Sequence, residues 1–287
     1  MLESLVNPRR VEKGPWKMFF IGLLYASLSL ILVKLFFSGD AVLTKYSGLL
    51  VVTFCVMFSL PFMYFIIKQE EQVDEEISGG IRRLWSVHKD ALFSLIWLFL
   101  GFVVAFSFWF LVLQDATLLN AQIETYCSIN SPDKISECVS QYTTGNFSSP
   151  TGYATGVARF FTILENNLYV MLFTLLFSLI FGAGAIFVLA WNATVIASAV
   201  AVFTHFEISQ IPVGLLRYMI HGLPEIVTYF LAALAGGIIG TGIIRNDLNS
   251  KRFLHVIENA IIILFVAVLV LVVAGLMEVY LTPLLFN

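Results

Sequence analysis

Six unbroken apolar stretches, each about as long as a bilayer is thick, decide what this chain can fold into. They cover Trp16–Phe37, Ser47–Ile67, Ala91–Leu113, Leu168–Ala190, Leu223–Ile244 and Asn259–Thr282. Crossing a hydrocarbon core of ~30 Å takes roughly 20 residues of α-helix. Barrel strands would alternate apolar and polar residues; these stretches are apolar on every face. The chain is 59% hydrophobic and 12% charged, against the ~25% charged of soluble domains. The expected fold class is therefore all-α, a polytopic transmembrane helix bundle in the cell membrane. The net charge of −3 gives no argument for nucleic acid. The first apolar run lacks a small-residue cleavage site and reads as a retained span.

A seventh run, Ala193–Phe206, is shorter and follows Trp191-Asn192. Charge decides how to count it. Lys and Arg collect in cytoplasmic flanks. Arg9, Arg10, Lys13 and Lys17 put the N-terminus inside. Lys68, Arg82, Arg83 and Lys89 do the same for the second loop, despite its run of acidic residues from Glu70 to Glu76. Arg245, Lys251 and Arg252 place the last connection inside too. That pattern requires Ala193–Phe206 to cross, giving about seven spans with a cytoplasmic N-terminus and an external C-terminus. The loop 114–167 is then external. It holds Cys127 and Cys138, and an oxidising compartment favours a disulfide between them. Closing that loop contributes about 2–3 kcal/mol to its order. Asn146-Phe147-Ser148 has the form of a glycosylation acceptor, a pattern that chance often produces.

Ionisable residues inside a bilayer cost at least ~2.5 kcal/mol, so each needs a reason. His221 and Glu225 stand at i and i+4, on one helix face. The spacing predicts that they form a buried polar pair with Glu278 or Asn192 nearby, at a span entry shaped by Gly222 and Pro224. Asn166 and Asn167, after Glu165, open the fourth span. Asn166, Asn167, Asn192, His221, Glu225 and Glu278 thus form a candidate intramembrane polar site, either a structural lock or a proton- or ligand-binding group. Small residues supply close helix contacts, which drive association in lipid. These are Gly182 and Gly184 in one span, and Gly222, Gly236 and Gly240 in another. Their faces serve either packing within the chain or a homodimer. No HExxH, GxSxG, P-loop or metal-type cysteine pair occurs. No catalytic, cofactor-binding or metal residues are expected, and no enzyme.

Four stretches in order carry a family resemblance: Phe160-Phe161-Thr162-Ile163-Leu164-Glu165-Asn166-Asn167, then Gly182-Ala183-Gly184 with Asn192, then Ile220-His221-Gly222-Leu223-Pro224-Glu225, then Gly275-Leu276-Met277-Glu278 through Thr282-Pro283. Together they resemble the stage II sporulation protein M family. Ile220 stands where the family's P-H-G-x-x-E segment has proline, and Pro224 lies inside the motif instead. The resemblance implies a five-span core over 91–287, with residues 1–90 as a two-span addition. It also implies a membrane platform, since characterised relatives position peptidoglycan-degrading partners at engulfment. Fold alone does not transfer that role. The expectation is a membrane scaffold that contacts lipid, self-associates and organises membrane or external partner proteins. The alternative is a secondary transporter or channel using the intramembrane His, Glu and Asn residues.

Overall fold

The computed structural model describes residues 14–40, 42–74, 80–130, 134–144, 156–181, 185–204, 207–245 and 251–286. Arg9, Arg10, Gly182, Gly184 and the Asn146-Phe147-Ser148 sequence lie outside the described residues. Every long element is a helix: α1 (Lys17–Phe36), α2 (Ser47–Asp74), α3 (Gly80–Leu113), α4 (Asn120–Asn130), α5 (Ile135–Thr144), α6 (Gly156–Phe181), α7 (Ala185–Phe203), α8 (Ile211–Arg245) and α9 (Lys251–Leu276). A π-helical turn (Met277–Leu281) continues α9 into the short α10 (Thr282–Leu285). Among the described residues six helices are long and apolar enough to cross a membrane; the apolar segment Ile186–Ala201 of α7 is shorter.

Cross-helix contacts fix the direction of each helix. α1 and α3 run parallel: Phe19 packs on Trp97, Trp109 donates to Ser27, and Lys34 pairs with Asp115. α2 returns against α1, placing Phe54 on Phe37 and Phe58 on Tyr25. α6 and α8 are parallel, with Asn167 beside Glu225 at one end and Leu179 beside Gly240 at the other. α7 opposes α8, since Val200 meets Gly214 and Ile196 meets Gly222. α9 opposes α8 as well, with Val256 at Gly242 and the Ala267 carbonyl at Thr228. Because α8 begins at the end where α6 begins, α7 has to traverse the bundle between them. The apolar helices therefore alternate in direction, and the first and last lie with their outer ends at opposite faces.

α3 lies at the centre. Phe99, Phe102, Phe106 and Phe110 recur at helical spacing and are fully buried. α7 is the second inner helix, packed on α2, α3, α4 and α8. α1, α6 and α9 keep large apolar side chains such as Leu24, Leu172 and Phe265 on the outside, as lipid requires.

The segment after α3 is not an open loop. α4 and α5 form a hairpin joined by the Cys127–Cys138 disulfide. Ile123 and Cys127 are buried in the same core as the spans. Gln122 donates to the Gly48 carbonyl at 3.1 Å, and Ser47 donates to that of Thr117. The hairpin is a cap seated on the bundle.

Three boundaries differ from the sequence expectation. The fourth span was expected over Leu168–Ala190 and a short crossing over Ala193–Phe206; the helices divide earlier, α6 ending at Phe181 and α7 starting at Ala185. Apolarity runs straight through that point, so hydropathy does not mark it. Asn192, expected to divide the stretch, lies inside α7, where its amide donates to the Val188 carbonyl at 2.8 Å. The expected entry of a span near Gly222 and Pro224 is instead the interior of α8, which runs through Pro224.

One measurement checks the traverse of α7. Cysteines placed at Gly39 and Lys251 are expected to react with an impermeant thiol reagent from opposite sides of the membrane, Gly39 from the side of the disulfide cap. Labelling of both from one side would remove the crossing. On the Lys and Arg asymmetry of the sequence, Gly39 is expected to label from outside.

Candidate functional site

Polar groups converge where α6, α8 and the π-helical turn meet, in the half of the bundle nearest the cap. Asn167 stands about three turns into α6 and is buried. Its Nδ2 donates to Glu225 Oε1 at 2.9 Å, and Tyr229 Oη donates to its Oδ1 at 2.7 Å. A carboxylate only accepts, and the Tyr229 hydroxyl needs an acceptor, so this orientation of the amide satisfies both. Glu225 and Tyr229 stand one turn apart on α8, which aims both at α6. Tyr229 is 3% exposed.

Glu278 approaches from the π-helical turn. The turn that carries it packs on both α6 and α8. The extra residue of a π turn swings a side chain out of α-helical register, and such turns recur at functional sites. Here the Thr282 N–H reaches back to the Met277 carbonyl. Among the described residues no donor reaches the Glu278 carboxylate. Arg159, exposed in the first turn of α6, is the cation whose field Glu278 feels.

His221 lies one turn before Glu225 on α8 and is 8% exposed. It does not form the expected pair with Glu225. Its Nδ1 is 3.0 Å from Thr282 Oγ1. The Thr282 hydroxyl gives its one proton to the Met277 carbonyl, 3.1 Å away. His221 Nδ1–H is then the donor and Nε2 carries the lone pair. The i, i+4 spacing put both residues on one face correctly, but each is taken by a different neighbour: Glu225 by α6, His221 by the chain after α9.

Of the other expected members, Asn192 spends its amide within α7. Asn166 is half-buried beside Asn167, with no hydrogen bond placing it in the cluster. Glu165 is exposed and accepts from Tyr169 at 3.2 Å. Gly236 and Gly240 face α6: a Cβ at either would press on the backbone oxygens of Leu175 and Leu179. Gly222 meets only Ile196 and Met219 at ordinary contact distance, 3.6 Å.

Several participants had no sequence signal strong enough to single them out. Tyr229 follows Glu225 by four residues, and that spacing could have found it. Arg217 donates to the Phe286 carbonyl at 2.9 Å and lies over the Phe203 ring at 4.6 Å, tying the chain end to α7 and α8. Tyr126 of the cap hydrogen-bonds Tyr218 of α8; burial first, then the neighbouring Tyr218, push its hydroxyl well above the usual tyrosine range. Asp115 follows α3 and pairs with Lys34. Burial alone would raise its carboxyl, but Lys34 and the Thr117 hydroxyl and N–H together hold it below the usual range.

The arrangement places two carboxylates, an amide, a phenol and an imidazole inside an apolar bundle. It can hold positive charge and pass hydrogen bonds between helices. Among the described residues no group of three His, Cys, Asp or Glu side chains has the spacing of a metal centre. The sequence model of the family described as Stage II sporulation protein M matches residues 52–283. The chain belongs to that family. The match takes in the cap, the polar cluster and every span from the second onward. No curated protein and no solved structure matches the chain.

Proposed function

We propose that this family member is a non-enzymatic platform in the cell membrane, presenting its cap to membrane or external partner proteins. The observation that carries the reading is the seating of the cap. A tethered loop would move independently of the spans, whereas α4 shares their core and the disulfide fixes α5 to α4. A partner bound to such a surface is held at a set height and orientation over the bilayer. Glu137 and Ser140 on α5 are exposed for such contacts. Self-association belongs to the same proposal. Its interface would be a lipid-facing surface rather than the Gly236–Gly240 stripe, which α6 occupies.

A photoreactive residue at Glu137 or Ser140, in native membranes, is expected to give one discrete protein adduct. The adduct should disappear when Cys127 and Cys138 are both serine. Adducts with lipid alone, together with ion or solute flux in liposomes holding the purified protein, would replace the platform by the second reading. That reading, a secondary transporter or channel, is favoured by the two glutamates and the π-helical turn inside the bundle.

A further inference from the structure

The outward face of α6 is interrupted by a polar patch. Val157 and Phe161 are exposed on the side nearer the cap, and Leu172, Phe173 and Leu176 on the side away from it. Between them lie Glu165, which is exposed, and Asn166, which is half-buried. Glu165 stands sixteen residues short of Phe181, about 24 Å along the helix axis. That depth falls within a hydrocarbon core of ~30 Å, and lipid tails supply neither donor nor acceptor. The Glu165 carboxylate accepts from the Tyr169 hydroxyl, 3.2 Å away on the same face. The Asn166 amide has no hydrogen-bond partner among the described residues, while Asn167 turns inward to Glu225. The opposite side of α6 carries the buried Ile163, Asn167 and Met171. The exposed patch therefore takes no part in holding α6 to the bundle.

The two residues complement each other across a second copy of the same helix. Consecutive residues of an α-helix point ~100° apart. Thr162, Tyr169, Phe173 and Leu176 are all exposed, and they follow one another at the alternating spacing of a helix-pairing seam. Glu165 and Asn166 flank that seam, one on each side. Copies of one chain enter the membrane in one orientation, so a two-fold axis stands normal to the bilayer and their α6 helices run parallel. Each flank then meets the opposite flank of the other copy, as g and e positions do in parallel coiled coils. Asn166 of one copy meets Glu165 of the other at nearly the same depth, and the symmetry makes the contact twice. The two carboxylates lie on opposite sides of the seam and do not face each other. We infer that the α6 face carrying Glu165 and Asn166 is the contact surface of a symmetric dimer of this chain, with the Asn166 amide of each copy donating to the Glu165 carboxylate of the other.

The chemistry selects a second copy over another occupant. A carboxylate facing lipid is costly and calls for a donor. A cationic side chain from an unrelated span would serve Glu165 and leave the Asn166 amide unused. A second copy serves both groups, by the pairing that already joins Asn167 to Glu225 at 2.9 Å within the chain. Tyr169 keeps its bond to Glu165, so each carboxylate accepts two. Phe173 and Leu176 supply the packing that drives association in lipid. The exposed middle turns of α1 and α9, around Leu24 and Phe265, are apolar and are satisfied by lipid. The inference rests on the self-association within the platform reading and gives it a face; the partner of the cap is independent of it.

The test uses the full chain in native membranes. On copper-phenanthroline oxidation, Thr162→Cys and Phe173→Cys on the seam should each give a covalent dimer, and Phe265→Cys on α9 should not. In lipid bilayers, Asn166→Leu and Glu165→Leu should each raise the dimer dissociation constant about five- to tenfold, because both symmetric bonds are lost together. Glu165→Gln should keep the dimer, since the glutamine oxygen still accepts. Cross-linking from Phe265→Cys and not from the seam would overturn this face and leave self-association standing. A seam adduct with a different protein in place of the dimer would do the same. Single copies of the wild type, counted by photobleaching, would remove both this face and self-association. Equal dissociation constants for the wild type and both leucine variants would overturn the Asn166–Glu165 pairing. The cysteine variants and the copy number decide the matter even where a leucine variant does not accumulate.

Discussion

Replacing Gly101 with alanine is expected to destabilise the bundle by about 3 kcal/mol, enough to remove most folded protein from a detergent extract. α1 and α3 cross at Gly22 and Gly101, each facing the other's backbone. A Cβ at Gly101 would press on the Phe19 carbonyl oxygen and lie 2.9 Å from the Leu23 nitrogen; one at Gly22 would press on the Leu98 carbonyl. These obstacles are backbone and cannot rotate aside, so the helices must separate. Separation would also disturb the Trp109–Ser27 hydrogen bond, 2.9 Å long, and the Phe19–Trp97 contact. Gly22→Ala should cost a similar amount. The double variant should cost little more than either single one, because the first methyl has already parted the crossing. Gly237, by contrast, offers open space: a Cβ there would meet nothing within 4 Å. Gly237→Ala should be neutral, or stabilise by about 0.5–1 kcal/mol through helix propensity. Thermal unfolding followed by size-exclusion chromatography checks all four. Equal loss from Gly101→Ala and Gly237→Ala would show that close approach is not the cause.

That crossing marks what the sequence could and could not convey. The spans were legible because lipid requires unbroken apolarity, and composition records that directly. The Gly236–Gly240 stripe was legible as a close-contact face because its two glycines share one helix. Gly22 is the one glycine of α1 and Gly101 the one glycine in the membrane-crossing part of α3, Lys89–Leu113; they stand seventy-nine positions apart in numbering, and only the fold brings them together. The cap shows a similar limit. Cys127 and Cys138 announced a bond, but Ile123 and Gln122 gave no sign that α4 enters the core. Helix ends in continuous apolar sequence were the least legible feature, as the division between Phe181 and Ala185 demonstrates.

At the polar cluster, sequence identified residues by their cost and misassigned their partners. His221, Glu225, Asn167 and Glu278 stand out because lipid penalises them. Which one bonds which depends on helix rotation and on the π-helical turn, which redirects Glu278 and places Thr282 under His221. No local propensity in Met277-Glu278-Val279-Tyr280-Leu281 distinguishes a π turn from an α turn. Asn192 carried the same cost but resolves it within its own helix, an outcome open to any amide four residues after a carbonyl.

Asn167→Leu is expected to produce the largest single loss at the cluster, about 2–4 kcal/mol. Its amide is the link between α6 and α8, and it serves two buried groups at once. A single interhelical hydrogen bond in a membrane contributes only ~0.6 kcal/mol on average. The larger figure comes from what truncation leaves behind: a Tyr229 hydroxyl and a Glu225 carboxyl that each lose a buried partner, at about 1–3 kcal/mol per group. Tyr229→Phe removes one of the two bonds and strands only the Asn167 oxygen, so it should cost about 1 kcal/mol. Adding Tyr229→Phe to Asn167→Leu should then recover part of the loss, since the stranded hydroxyl is gone. Leucine fills much the same space as asparagine, which keeps cavity formation small in the comparison. The measurement is the unfolding free energy of the two single variants and the double variant in one lipid composition. A double variant less stable than Asn167→Leu alone would show that the Tyr229 hydroxyl is held by a group other than the Asn167 amide, and that the amide is not the element holding α6 to α8.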